Sequence, residues 1–307
     1  MSSPARPAGS KSLPHAGAPL CAAFDPRTRK PQFKLPPGAT DCHAHICGPA
    51  ARYEYFDGRI YTPPDCLPAD YRKMLDTLGV ERAVLVQPSV YGTDNRAMLD
   101  AMKADPARLR GVAVVADDIS AGELEAMHDG GVRGVRVNIV DVKDRKPGTL
   151  PLAELTRLAA KIKPLRWHME FLMHVDEFPD LDRLLADFPV ATVYGHLGYM
   201  KTEHGAANPG FRALLRMMQA GRAWVKLTGP YRISAVPLPH ADTNAYAHAL
   251  LSAAPSQVVW GSDWPHVMVK GPMPNDGDLC DLLTAWIPDE ALRKQVLVDN
   301  PARLYDF

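Results

Sequence analysis

An excess of charge of one sign is what this chain most plainly lacks. Lys plus Arg and Asp plus Glu both number 35, so the formal charge is zero and the pI is near 7.2. That balance excludes the broad basic footprint of a nucleic-acid or anionic-membrane binder, and any preference for an anion must come from a few local groups. Cysteine is also scarce. The five residues Cys21, Cys42, Cys47, Cys66 and Cys280 are odd in number and widely scattered, unlike the dense framework that staples small secreted domains, and a reducing cytoplasm is the expected setting. Within residues 1–38 the longest apolar stretch, around Pro19 to Phe24, is too short for a signal-peptide core or a spanning helix. This proline-rich segment reads as an irregular arm, either lying on the body that follows or partly disordered. No GxGxxG follows the first strand candidate, which weakens a dinucleotide-binding reading.

What the chain does contain is alternation. From Ala39 onward, β-rich runs at 39–46, 82–87, 109–115, 132–139, 168–174, 190–196, 223–229 and 257–263 are separated by amphipathic stretches such as 68–78, 94–104, 120–129, 152–162 and 211–220. Thr93-Asp94 and Ser120 suit helix N-caps, and Gly79 and Gly130-Gly131 suit helix stops. A last helix spans 289–304, interrupted near Asn300-Pro301. Crossovers between parallel strands are right-handed almost without exception, so eight in succession close into a (β/α)8 TIM barrel. A length of 307 residues fits one such domain over 39–307, since these barrels take about 250 residues.

Strand ends of a barrel converge on one face, and the chain places His43, His45, His174, His196 and Asp263 at such ends. His43-x-His45 alone decides little. Alternate residues of a strand point the same way and can reach one ion, but two histidines near a strand end can equally cap backbone groups. The full set of four imidazoles and a carboxylate suits a divalent ion such as Zn or Mn. Three cations, Arg136, Lys226 and Arg232, offer either a clamp for a substrate anion or an ion pair inside the barrel. Tyr61, Asn95 and His266 are candidate substrate contacts, Tyr61 and Asn95 being equally plausible as packing residues and His266 as a support for Asp263. Cys42 and Cys47 flank the two histidines with no base partner at a suitable spacing and read as packing residues.

The motifs carry a resemblance. Asp41-x-His43-x-His45, Gly195-His196, the run Trp260-Gly261-Ser262-Asp263-Trp264-Pro265-His266 and the stretch Leu297 to Leu304 resemble the amidohydrolase superfamily. The similarity is to the branch containing 2-pyrone-4,6-dicarboxylate lactonase and 4-sulfomuconolactone hydrolase. It implies a distorted (β/α)8 barrel in which Asp263 takes a proton from the attacking water while His196 donates to the substrate carbonyl. His43, His45, His174 and Asp263 would hold a divalent metal, whereas in the pyrone dicarboxylate lactonase the paired histidines help bind substrate without one. Tyr199 stands where that lactonase has an arginine, which argues against a second ring carboxylate, and His174 adds a ligand that it lacks. The expected partner is a small anionic lactone, met by a monomer or small homo-oligomer. The competing expectation is a metal-dependent decarboxylase of an aromatic or semialdehyde acid.

Overall fold

In the computed structural model, which describes residues 17–141 and 145–307, eight parallel strands follow one another round a single sheet in sequence order. They are β1 (Thr40–Ala44), β2 (Arg82–Val86), β3 (Leu109–Ala113), β4 (Val132–Asn138), β5 (His168–Leu172), β6 (Thr192–Tyr194), β7 (Ala223–Leu227) and β8 (Val258–Trp260). Each starts within two residues of its expected place and stops short, because the residues beyond turn outward to build the site. The helices are α1 (Pro68–Leu78), α2 (Arg96–Ala104), α3 (Ala121–Asp129), α4 (Leu152–Ile162), α5 (Leu181–Leu184), α6 (Pro209–Gln219), α7 (Asn244–Ala253), α8 (Asp276–Trp286), α9 (Glu290–Lys294) and α10 (Asn300–Tyr305). Ser120 caps α3 in a reciprocal pair with Glu123, and Gly79 ends α1 in the left-handed conformation. The interruption near Asn300 is a π-helical turn over Gln295–Asp299, after which the Asn300 amide donates to the carbonyls of Pro255 and Val258 beneath β8.

Two apolar layers follow from the strand period of two. Ala83 and Leu85 of β2, Met169 and Phe171 of β5 and Val225 and Leu227 of β7 belong to the large core that includes the helices. Val84, Val86, Val112, Val193 and Val259 form a separate cluster inside the barrel with Cys42 and Tyr305. Tyr305, delivered by α10, plugs the end of the barrel opposite the site, with its ring 5.3 Å from His168 and 5.8 Å from the Lys226 ammonium.

The seam between β1 and β8 is closed differently from the rest. Here a bridge at Ala44 and Trp264 is supported by Asp263 N–H donating to His43 O (2.9 Å) and His45 N–H donating to Trp264 O (2.8 Å). Asp41 completes it. One carboxylate oxygen accepts from the N–H groups of His43 (3.0 Å) and Ser262 (2.8 Å), and the other from the hydroxyls of Tyr71 (2.9 Å) and Ser262. Burial raises the Asp41 carboxyl to about 6 against the opposing pull of these donors.

Of the N-terminal arm, residues 1–16 lie outside the described residues. Residues 17–38 carry no helix or strand beyond a bridge from Leu20 to Thr62, and they cross the rim where Phe24 packs 4.9 Å from Trp264. Among the described residues no helix is long and apolar enough to cross a membrane.

Candidate active site

His43, His45 and Asp263 come together at the C-terminal end of the barrel, each offering one ligand atom within 4.8 Å of the others. All are buried. Backbone conformation sets their aim. Asp263 and His196 both adopt positive φ, +67° and +51°, a costly choice for side chains of this kind that persists where surrounding structure enforces it. Two glycines make room. A Cβ on Gly229 would lie 2.7 Å from Asp263 Oδ2 and 2.8 Å from His196 Nδ1, and one on Gly261 would lie 2.7 Å from the His43 backbone nitrogen.

Hydrogen bonds divide each functional group into a held half and a free half. His45 Nδ1 sits 2.7 Å from Val86 O; a carbonyl only accepts, so this nitrogen carries the proton and Nε2 presents a lone pair. Asp263 Oδ2 accepts from Arg232 Nε (2.6 Å) and from the Tyr231 hydroxyl (2.6 Å). Its Oδ1 has no partner among the described residues, nor have His43 Nε2, 3.7 Å away, and His196 Nδ1. Orphaned buried polar atoms are rare and call for a ligand. Two nitrogens and a carboxylate oxygen at these positions fit a divalent ion.

Electrostatics keep the charges sorted. Burial pushes the Asp263 carboxyl up, but the Arg232 guanidinium beside it outweighs burial and holds it well below the usual carboxylate range. Burial, with the cations Lys226 and Arg136 nearby, pushes His43 and His45 down to about 3, and burial likewise drives His196 well down. The site therefore presents an ionised carboxylate among neutral imidazoles.

Several expected roles change. His174 is not among the three converging groups: its Nδ1 lies 2.6 Å from Tyr199 O and its ring stacks on Tyr199 at 4.7 Å. Lys226 is no anion clamp, because it is fully buried and paired with Glu170 at 2.6 Å. Arg232 pairs with Asp263. Asn95 spends both amide hydrogens on the carbonyls of Thr93 and Val114 and its oxygen on Val114 N–H, pinning α2 to the end of β3. His266 lies buried between the Tyr231 hydroxyl (3.1 Å) and Asp276 (3.0 Å), and the same Tyr231 hydroxyl is 2.6 Å from Asp263 Oδ2. Tyr61 is buried at 4% exposure.

Arg136 keeps its candidacy. It is 9% exposed, and its only hydrogen bond is from Nη1 to Gln87 O (2.9 Å), with no carboxylate partner among the described residues. A buried guanidinium with most of its donors unused is poised for an acid group. Sequence reasoning missed Glu170, Tyr231 and Asp276. Glu170 was the detectable one, since an acid in the middle of an otherwise buried strand must have a partner. Outside Tyr231 a cavity of about 830 Å³ opens between the loops after β7 and β8 and the arm, with Arg27 and Lys270 on its wall.

Comparison with known proteins agrees with this architecture. The chain is 39% identical to the 2-pyrone-4,6-dicarboxylate hydrolase of Comamonas testosteroni, covering 90% of this chain and 92% of that protein. It is 37% identical to the 4-sulfomuconolactone hydrolase of Rhizobium radiobacter, covering 94% and 97%. An apo crystal structure from Agrobacterium tumefaciens, 27% identical, superposes with a TM-score of 0.80 over 92% of this chain and 99% of that one. The amidohydrolase family model matches residues 40–307, and the chain belongs to the amidohydrolase family.

Proposed function

We propose that this protein is a hydrolase that opens a small anionic lactone. The observation that carries the reading is the meeting of an ionised Asp263, two imidazole nitrogens beside it and a buried Arg136, with one Asp263 oxygen and most Arg136 donors unpartnered among the described residues. The relatives named as hydrolases of lactones support the same class.

In this scheme water sits against Asp263 Oδ1, the free oxygen, while Arg232 and Tyr231 fix the other. The low proton affinity of Asp263 keeps it ionised, so it receives the proton as the oxygen attacks and returns it to the leaving oxygen. His196, neutral, donates its one N–H toward the carbonyl oxygen, where negative charge develops. Arg136 holds the substrate's carboxylate or sulfonate. A divalent ion, Zn or Mn, held by His43, His45 and Asp263, would supply Lewis acidity to the water and carbonyl.

The test is a screen of muconolactone-type and sugar-acid lactones in weakly buffered indicator, read as acid release. Turnover of one of them is expected, together with a KM raised at least tenfold in Arg136→Met and a smaller change in kcat. Gas evolution from an aromatic acid, with no lactone opened, would refute the reading. A separate expectation concerns the ion. Chelation should remove most activity and Zn or Mn should restore it, and full turnover by protein shown by metal analysis to hold no stoichiometric ion would overturn the metal-assisted form.

A further inference from the structure

Below the three converging groups lies a second polar cluster that the scheme above does not use. Glu170 and Lys226 are 2% and 0% exposed, inside the barrel on β5 and β7. The Lys226 ammonium donates to Glu170 Oε2 (2.6 Å) and to Cys42 O (2.8 Å), and it faces the ring of Tyr305. Both members approach one atom: His43 Nδ1 is 3.3 Å from Lys226 Nζ and 3.3 Å from Glu170 Oε1. The two contacts demand opposite tautomers. If Lys226 donates, Nδ1 is the lone pair and Nε2–H points into the site. If Glu170 accepts, Nδ1 carries the hydrogen and Nε2 presents a lone pair.

Donor counting decides between them. Lys226 has three hydrogens, of which two are used and the third has the π face of Tyr305 as an outlet. Among the described residues Glu170 Oε1 has no other donor, and a buried carboxylate oxygen without a donor is the more costly orphan. The opposite tautomer would aim Nε2–H at Asp263 Oδ1, but across 3.7 Å, beyond hydrogen-bond reach. We infer that Glu170 and Lys226 are positioning residues: Glu170 accepts from His43 Nδ1–H, and Lys226 neutralises Glu170 so that this acceptor stays ionised inside the barrel. His43 then offers Nε2 as a lone pair beside Asp263 Oδ1, matching the state that Val86 imposes on His45. Orientation of an imidazole by a carboxylate behind it is worth about 10–100-fold in activity or ion affinity where it has been perturbed. The tautomer assignment stands on geometry alone. Its effect on turnover rests on the lactone-hydrolase reading.

The experiment is a two-bond ¹H–¹⁵N spectrum of the full chain, before and after chelator treatment, with the His43 signals identified by their loss in His43→Asn. The neutral Nδ1–H tautomer is expected in both samples, and an Nε2–H tautomer in the chelated protein would overturn the proposal whatever the substrate. The double variant Glu170→Leu/Lys226→Met removes both charges, and replacing a buried ion pair by apolar groups is often neutral for stability. It should melt within a few degrees of the wild type, lose the tautomer preference at His43 and lower kcat about 10–100-fold with KM little changed. A double variant that retains both the Nδ1–H tautomer and full kcat would reduce the pair to a structural role. If the double variant does not fold, the wild-type spectrum still decides the assignment.

Discussion

Replacing Asp263 by Asn should cost about a thousandfold in kcat, within the 10²–10⁴ range that a positioned proton acceptor supplies. The substitution keeps the side chain's size and leaves an oxygen that Arg232 can still reach, so the glycine-lined space at Gly229 and Gly261 is undisturbed. What it removes is charge. Arg232, with a side chain only 12% exposed, loses the carboxylate that it faces at 2.6 Å. Breaking a buried pair from one side costs about 3–5 kcal/mol at the upper limit, and the retained hydrogen bond keeps the loss below that. The variant should therefore fold, with a lower Tm, and be nearly inactive. The measurement is kcat and KM on whichever lactone the screen identifies, alongside thermal unfolding. Turnover within tenfold of the wild type would remove Asp263 from the role of base.

The largest effect on stability is expected from Asp41→Ala. This carboxylate receives four hydrogen bonds, two from backbone N–H groups on opposite sides of the β1–β8 seam. Truncation leaves the N–H groups of His43 and Ser262 buried and unpaired, at about 1–3 kcal/mol each, while the two hydroxyls can rotate in search of other acceptors. A loss of about 3 kcal/mol corresponds to a fall of about 5 °C in Tm for a domain of this size. Since the seam carries His43 and Asp263 on its two sides, activity should fall with stability. Asp41→Asn, which keeps one oxygen for the two N–H groups, should lose much less. Equal Tm values for the Ala variant and the wild type would show that the seam is held by its backbone bridge alone.

These two residues mark what could be read from the sequence. The eight-fold alternation was legible because β-rich runs and amphipathic helices have different periods, and α1 and α4 occupy the expected residues, 68–78 and 152–162. The meeting of His43, His45 and Asp263 was legible because strand ends converge. Partners across the barrel were not. Lys226 and Glu170 are 56 residues apart, and a lysine in a strand announces burial without naming its counter-ion. Asn95 and His266 look like rim residues that could touch substrate, yet both satisfy fixed neighbours, a use of polar side chains that leaves no local pattern. His174 sits two positions past the end of β5, where the backbone has already begun to turn into a 3₁₀ segment, and that turn takes its ring to Tyr199.

The Tyr305 plug bears on how the molecule is made. Its phenol ring comes from beyond the eighth strand, yet it covers Lys226 and His168 from underneath. A nascent polypeptide that has emerged through Asp263 already possesses every group proposed for chemistry but still lacks the ring that covers the valine cluster inside the barrel. Ribosome-arrested chains halted before α10 should therefore bind solvatochromic dyes and be cut by protease within the strands, and release of the remaining residues should abolish both.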